Sequence, residues 1–338
     1  MVHELSEVIG NTVYPQLIVV AIPNTDRTRD LTPTHALTGP NDKHMDGMET
    51  SGGGENFTAF LQKELMPHID SAYRTAPYKM LVGHSFGGLT AVNILVNHTE
   101  MFNSYLVIDP SMWWDRRKLL QQTHDALRQR RFDGKSLYLA IANTMPLGMD
   151  TTLVRTDTST SGDNGHIRSI LMLKDNLQAG KANGLDWSYK YYSGDTHGSV
   201  PLIAEYDGLH FLLGFYDYPP GFIGSINDRN TKVDVVKAIS DHFADVSKHM
   251  GYTVLPPEEE INHFGYRMLG LGSPERALVF FSLNIKNYPQ SANVYDSMGD
   301  YYTAQKDNVK AAENYKKSLA LNDNPATRKK LDGLQVKK

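Results

Sequence analysis

Residues 78–92 have the sequence YKMLVGHSFGGLTAV, and the fold expected of the whole chain follows from this stretch. The apolar residues 80–82 predict a strand, and Leu89 and Val92 share one face of the helix predicted after it. Between the strand and the helix lies the pattern Gly-x-Ser-x-Gly, which is typical of a nucleophile on a sharp strand-to-helix turn.

This turn indicates a catalytic serine. Ser85 would expose its hydroxyl at the edge of the sheet, while Gly83 and Gly87 would let the strand and the helix approach closely. The helix directs N–H groups at the site, and the backbone N–H of Phe86 is the predicted donor to an oxyanion. The alternative is a turn that is merely rich in Gly and Ser, but the flanking strand and helix favour catalysis.

The composition is that of an ordinary globular protein. The chain has 338 residues, of which 40% are hydrophobic and 21% charged, so two domains or one domain with an appendage are expected. A net charge of −4 argues against nucleic acid as the main partner, and the absence of cysteine excludes thiolate metal sites and disulfides. No cofactor, metal or membrane span is predicted, and residues 1–5 are not typical of a signal peptide.

Strands and helices alternate over the first two thirds of the chain. The predicted strands are residues 16–22, 80–82, 105–109, 136–142 and 187–192. Residues 16–22 are apolar on both faces, which predicts a central strand. Repeated strand–helix units predict the α/β class, with a parallel, doubly wound sheet.

The base is predicted from its position after the last strand. A serine nucleophile needs a base, and the base needs an orienting partner. His197 lies in a Gly-rich turn that follows the last predicted strand, where its ring can project over the edge of the sheet. His84, within the turn, and His166, at the start of a predicted helix, fit the role less well.

The acid is expected in the loop after residue 142, which contains Asp150, Asp157 and Asp163. Asp150 is nearest the strand end and is the preferred candidate. Loop aspartates are mostly turn formers, and Asp163 is well placed to cap a helix. A serine–histidine dyad without an acid is therefore left open.

The last third of the chain is predicted to be helical. Three pairs of residues recur at a spacing of 34, namely Gly265 and Gly299, Ala277 and Ala311, and Phe281 and Tyr315. This period resembles that of the tetratricopeptide repeat. The predicted domains are thus 1–250, an α/β unit, and 256–335, a helical repeat region suited to binding a protein partner or to self-association.

Residues 17–214 resemble the Putative esterase (esterase D-like) family of α/β-hydrolases, which includes trilactone siderophore esterases. The resemblance is carried by residues 20–33, 83–88, 109–115 and 196–201. It implies Ser85 as the nucleophile, His197 as the base and a small or lactone-type ester as the substrate. Some of these relatives resemble enzymes that use a serine–histidine dyad. Relatives are often exported, but the location of this chain is left open.

One feature departs from the family pattern. Several strands precede the equivalent of Leu17 in the family, whereas this chain has only residues 1–16 there. Either the sequence starts late or the fold is trimmed. The second oxyanion donor usually comes from a loop in that part.

The sequence leaves three functions open. A serine carboxylesterase is favoured, with Arg27, Arg29, Trp113 and Trp114 predicted to line its pocket. The arginines could pair with an anionic or catecholate ligand and the tryptophans could stack on an aromatic group, or they could form surface salt bridges and core packing. The alternatives are a non-catalytic module that binds a partner through its repeats, and acyl transfer to an acceptor other than water.

Overall fold

The computed structural model of the protein describes residues 15, 17–40, 43–156, 164–228 and 230–335. The chain divides into two compact units, with the boundary between Asp217 and Tyr218. The sequence suggested a later boundary, between residues 250 and 256. The observed boundary lies earlier than the predicted one because the helix Val235–Met250 belongs to the second unit, where it packs against the helix Pro274–Asn287.

A four-stranded parallel sheet forms the centre of the first unit. Its strands are β1 (Met80–His84), β2 (Ser104–Ile108), β3 (Ser136–Ala142) and β4 (Asp186–Tyr192). They lie in chain order, and each pairs in parallel with the next. The predicted α/β fold with a parallel sheet is confirmed, although these four strands lack the reversal of order that a doubly wound sheet requires.

Helices connect the strands and cover the sheet. Those of the first unit are α1 (Arg27–Leu31), α2 (Gly54–Phe60), α3 (Met66–Ala72), α4 (Phe86–Asn97), α5 (Trp114–Gln129), α6 (Leu153–Thr156), α7 (Asn164–Ala179) and α8 (Val200–Leu212). A π-helical turn, Leu61–Leu65, joins α2 to α3.

Side chains alternate across the sheet, so both of its faces are buried. In β2, Tyr105 and Val107 pack into the core on one face, whereas Leu106 packs with Ala204 of α8 on the other. A Cβ on Gly208 of α8 would lie 2.4 Å from Leu106, so this helix approaches the sheet closely. Burial on both faces explains why β2 and β3, the two central strands, are nearly continuous apolar runs.

The prediction of a central strand at residues 16–22 is wrong for the described residues 17–22, which form no strand. Leu17, Ile18, Val19 and Val20 are between 40% and 66% exposed. An apolar run forms a strand only where a neighbour satisfies its backbone N–H and C=O groups. Among the described residues, β1 pairs with β2 alone, and Val82 of β1 is 46% exposed.

The second unit consists of helices. They are α9 (Phe222–Asn227), α10 (Val235–Met250), α11 (Glu258–Gly270), α12 (Pro274–Asn287), α13 (Ala292–Ala304), α14 (Asn308–Leu321) and α15 (Pro325–Gln335). Helices α11 and α13 begin at residues 258 and 292, and α12 and α14 begin at residues 274 and 308, so each pair is 34 residues apart. None of the helices in the described ranges is both long and apolar enough to cross a membrane.

Repeated glycines explain the 34-residue period physically. A Cβ on Gly265 would lie 2.6 Å from the ring of Phe281, and a Cβ on Gly299 would lie 2.4 Å from the ring of Tyr315. Each glycine therefore lets an aromatic ring of the following helix pack directly against the backbone. The helix pairs recur at the predicted spacing, and their identification as a tetratricopeptide-like repeat stays a prediction.

Candidate active site

Ser85 lies on a strained turn at the carboxyl end of β1. Its φ of 61° and ψ of −115° are uncommon for a residue that carries a side chain. Its N–H donates to the carbonyl of Ile108 (3.0 Å), and its carbonyl accepts from the N–H of Ser111 (3.1 Å). These bonds to the end of β2 hold the backbone in the conformation expected of a nucleophile turn.

Close packing of α4 on β1 depends on Gly83 and Gly88. A Cβ on Gly83 would lie 2.1 Å from the carbonyl oxygen of Gly87, and one on Gly88 would lie 2.9 Å from Pro110. Gly87 has open space where its own Cβ would stand. The prediction that Gly87 permits the close approach by lacking a Cβ is therefore wrong.

Two polar groups accompany the Ser85 side chain. Its hydroxyl lies 3.4 Å from that of the buried Ser111. No hydrogen bond joins it to His197 among the described residues. Phe86 is the first residue of α4, where a backbone N–H has no acceptor within the helix. That N–H can donate to an oxygen that becomes negatively charged beside Ser85.

The carboxylate that pairs with His197 is Asp109, which directly follows β2. Nδ1 of His197 donates to Oδ2 of Asp109 at 2.6 Å, across 88 positions of the chain. The Asp109 side chain is fully buried, whereas that of His197 is 40% exposed. The pair thus extends from the interior to the surface, with Nε2 of the imidazole left for a second partner.

The candidates for the acid in the loop after β3 do not pair with His197 where the structure describes them. Oδ1 of Asp150 accepts from the backbone N–H groups of Thr152 and Leu153, both at 2.8 Å. Asp150 is therefore a capping residue at the start of α6, and the preference for it is corrected in favour of Asp109. Asp157 and Asp163 lie outside the described residues.

Asp109 is held as a carboxylate by three donors. Its Oδ1 accepts from the N–H of Ala142 (2.9 Å), and its Oδ2 accepts from His166 Nε2 (2.8 Å) as well as from His197. Burial on its own would raise the pKa of Asp109. The hydrogen bonds from His166 and His197 outweigh burial and hold its pKa well below the usual range.

His166, which the sequence predicted to be a weaker candidate for the base, lies near the start of α7. Its Nδ1 accepts from the indole N–H of Trp113 at 3.1 Å, so the ring lies between Trp113 and Asp109. Nothing in the residues around position 166 indicates this. For Asp109 an indication existed, because it directly follows the strand next to β1 and begins the segment 109–115 that resembles the esterase family.

A third imidazole adjoins His197. The ring of His84 lies 4.4 Å from that of His197, and the ring of His166 lies 5.1 Å from it on a perpendicular plane. Burial lowers the pKa of His84, and the neighbouring His197 acts in the same direction. Since His84 directly precedes Ser85, this contact brings His197 to the nucleophile turn.

The two arginines of the predicted pocket have different surroundings. Arg27 approaches the turn, with its guanidinium 3.4 Å from the carbonyl oxygen of His84 and 5.2 Å from the ring centre of Phe86. Arg29 instead forms an ion pair with Asp30 at 2.8 Å. Arg29 also lines a cavity of about 520 Å³, whose other walls include residues 21–25, Phe57 and Phe60. Ser85 is not among the residues that line this cavity.

Both tryptophans are buried. Trp113 is 8% exposed and donates to His166, while Trp114 is 1% exposed and donates to the carbonyl of Thr34 at 3.0 Å. Their rings pack edge-on or tilted against Phe86. This geometry favours packing over stacking on a ligand, and a contact with substrate stays a prediction.

Three side chains of the candidate site could together ligate a metal ion. Asp109, His166 and His197 offer ligand atoms within 4.8 Å of one another, the only such group among the described residues. Both ring nitrogens that face the carboxylate lie at hydrogen-bonding distance from one oxygen. These contacts are satisfied by N–H donors, and the expectation that no metal is needed stays a prediction.

A family comparison agrees with the motifs. The model of the family described as "Putative esterase" matches residues 3–156. The match includes the Ser85 turn and Asp109, and ends before His166 and His197 are reached.

Relatives of known description are siderophore esterases and a serine hydrolase. The chain is 31% identical over 121 residues to the siderophore enterobactin esterase of Emericella nidulans, covering 31% of this chain and 39% of that protein. It is 26% identical over 163 residues to the ferri-bacillibactin esterase BesA of Bacillus subtilis, covering 48% and 52%. The chain thus spans about half or less of the length of these curated relatives.

A solved structure matches over most of the chain. The IroE-like serine hydrolase from Shewanella oneidensis is 30% identical, with a TM-score of 0.66. The match covers 83% of this chain and 82% of that one. The likeness therefore extends beyond the sheet that carries Ser85.

Proposed function

We propose, since this chain belongs to the family described as "Putative esterase", that it is a serine carboxylic-ester hydrolase acting on small or lactone-type esters. The observation that carries the proposal is the pairing of Asp109 with His197 beside the strained turn of Ser85. A strained serine, an imidazole and a buried carboxylate at one edge of a sheet are the parts of an acyl-transfer site.

Ser85 would act as the nucleophile. Its Oγ would attack the ester carbonyl while Nε2 of His197 takes the hydroxyl proton. The tetrahedral oxyanion would accept the N–H of Phe86, and the alcohol would leave with the proton from His197. Water activated by the same nitrogen would then attack the acyl group on Ser85, which releases the carboxylic acid and restores the serine.

Asp109 would be the third member of the site. Its hydrogen bond to Nδ1 of His197 keeps the proton on that nitrogen, which leaves Nε2 unprotonated toward the solvent side. Its negative charge would stabilise the imidazolium that forms when Ser85 loses its proton. The low pKa of Asp109 supports this role, since the group stays ionised at neutral pH.

The substrate class rests on two supports. The curated relatives are described as esterases of siderophores, which supports siderophore esters as candidate substrates. The guanidinium of Arg27 lies close to the Ser85 turn, where it could bind an anionic group of the substrate. Arg29 instead forms an ion pair with Asp30, which leaves its guanidinium less available to a substrate.

Substitution of Ser85 by alanine tests the proposal. Ser85→Ala should abolish hydrolysis of p-nitrophenyl acetate and of a trilactone siderophore while the circular dichroism spectrum is unchanged. Ser71→Ala, at an exposed serine of α3, is the matched control and should retain full activity. Undiminished turnover by Ser85→Ala would exclude Ser85 as the nucleophile, and an inactive wild-type protein would contradict the proposed function.

A further inference from the structure

One carboxylate oxygen accepts from two histidines. Oδ2 of Asp109 lies 2.6 Å from Nδ1 of His197 and 2.8 Å from Nε2 of His166. A carboxylate can only accept, so both nitrogens must carry protons. A base needs one such partner to be oriented, and the second imidazole has no role in the steps derived above.

Trp113 fixes the protonation of that second imidazole. An indole N–H is a donor only, and it lies 3.1 Å from Nδ1 of His166. Nδ1 must therefore be unprotonated, which puts the ring proton of the neutral histidine on Nε2, facing Asp109. His166 has only 12% of its side chain exposed, so solvent offers little competition for either nitrogen.

We propose that His166, locked by Trp113 with its proton on Nε2, is a positioning residue that fixes the rotation of the Asp109 carboxylate and thereby orients His197. Its effect on catalysis rests on the proposed function, whereas the hydrogen-bond chain itself does not. The chain runs from the Trp113 N–H through the His166 ring to Asp109, and from Asp109 to His197.

The proposal explains how a strained residue is held. Asp109 has a φ of 41°, which is uncommon for a residue with a side chain. Its carboxylate is tied to β3 by the N–H of Ala142 and to α7 by His166, through different oxygens. Two donors on two elements prevent rotation about the Cβ–Cγ bond, so Oδ2 stays directed at His197.

The same tautomer disfavours a metal ion. A histidine that binds a metal usually donates its other ring N–H to an acceptor. Here the outer nitrogen of His166 faces a donor, Trp113, so a metal on Nε2 would require the anionic imidazolate. The three side chains are therefore read as a hydrogen-bond chain.

Kinetics of variants at His166 and Trp113 test the positioning role. His166→Phe keeps a ring but removes the donor, and kcat should fall between about tenfold and a hundredfold, the range for losing one hydrogen bond to a charged group, with KM within about twofold. His166→Gln, whose amide can still donate, should recover part of the loss. Trp113→Phe should lower kcat less than His166→Phe does. If Trp113 acts through His166, the double variant should have the same kcat as His166→Phe alone. His68→Phe, at an exposed histidine of α3, is the control and should be unchanged.

A spectroscopic measurement separates this proposal from the proposed function. Long-range ¹⁵N–¹H correlation of the histidine rings, assigned with the variants, should show His166 with an unprotonated Nδ1 at neutral pH. The His197 Nδ1 proton should shift in His166→Phe, and in Ser85→Ala its signal should remain as in the wild type. If these signals are present but the wild type is inactive, the proposed function is contradicted and the hydrogen-bond chain is not.

Three results would overturn the positioning role. These are a folded His166→Phe variant with full kcat, a His166 ring protonated on Nδ1, and a stoichiometric metal in the purified protein that His166→Phe loses.

Discussion

The helical repeats and the carboxylate of Asp109 differ in how far apart in the chain their contacting residues lie. In the repeats, the hydroxyl of Tyr315 donates to Asp300, only 15 positions away. At the candidate site, Asp109 accepts from His166 and His197, which are 57 and 88 positions away. Contacts between residues that are close in the chain can produce a periodic sequence pattern, whereas contacts between distant residues depend on how the whole sheet is assembled.

This difference explains why one region was predictable and the other was not. The glycine and aromatic positions of the repeats recur every 34 residues because each pair of helices packs an aromatic ring against a glycine in the same way. The acid has no such repetition, since any loop at the carboxyl edge of the sheet can supply it. Whether the carboxylate that pairs with His197 follows β2 or β3 depends on which strand end lies next to His197 in the folded sheet.

The largest effect expected is at Asp109. Asp109→Asn should lower kcat for ester hydrolysis by as much as ~10⁴, because the amide can present its N–H to His197 and favour the wrong tautomer. KM should change little. Asp150→Asn should leave kcat near that of the wild type, since Asp150 caps α6.

Steady-state kinetics on the two asparagine variants make the measurement. A severe loss in Asp150→Asn together with a mild one in Asp109→Asn would reverse the assignment of the acid. Near-full activity in both, with His197→Ala inactive, would leave a dyad.

The second effect concerns the repeats. In Gly299→Ala the new methyl would lie 2.4 Å from the ring of Tyr315, which is 1% exposed and cannot move aside easily. We expect a loss of about 1–3 kcal/mol in the free energy of unfolding of the second unit, measured by urea denaturation. Since the candidate site lies within the first unit, kcat of the folded variant should be unchanged.

Gly333→Ala is the matched control for this substitution. Gly333 lies in α15 with open space around its Cβ position, so alanine there should stabilise by about 0.5–1 kcal/mol. Equal effects of the two substitutions would show that the glycines of the repeat do not act through aromatic packing.

Much of the first unit could be predicted from patterns of two kinds. Continuous apolar runs predicted β2 and β3 to within a residue or so, because strands buried on both faces need no alternation. The aromatic-rich residues 187–192 predicted β4, which is mostly exposed or half-buried. The Gly-x-Ser-x-Gly pattern predicted the turn at Ser85, whose strained φ the structure contains. These features are encoded by residues that are neighbours in the sequence.

Other features could not be predicted because they depend on partners. Residues 17–22 have the composition of a strand, but in the described ranges no strand pairs with them. His166 looks like the start of an amphipathic helix, and its partners Trp113 and Asp109 come from other elements. Hydrogen bonds between side chains of distant elements produce no periodic pattern in the sequence.

A third prediction uses the pKa of Asp109. Because its folded-state pKa lies below the unfolded value of about 3.9, its contribution to stability is present above that pH and is lost as pH falls further. Between pH 5 and pH 3 the free energy of unfolding of the first unit should therefore fall more steeply in the wild type than in Asp109→Asn. Urea denaturation at several pH values measures this, and parallel curves would mean that the carboxylate is not held by its donors.

The smallest effect lies in the backbone of the first turn of α5, directly after the two tryptophans. Asp115, Arg116 and Arg117 have φ values of 44°, 52° and 66°, so three consecutive residues with side chains are left-handed. This conformation costs roughly 1–2 kcal/mol per residue, whereas glycine adopts it freely. The right-handed part of the helix starts at residue 118, and side-chain patterns carry no information about the strain before it.

Arg116→Gly should therefore stabilise the first unit by up to about 1 kcal/mol, because relief of the strain exceeds the entropy that glycine adds to the unfolded chain. Gln122→Gly, at an exposed site in the right-handed part of α5, should destabilise it by about 1 kcal/mol. Thermal unfolding of both variants measures the two signs. If both glycines destabilise equally, residue 116 is not left-handed in solution, and the turn that carries Trp113 toward His166 must be held by side-chain contacts alone.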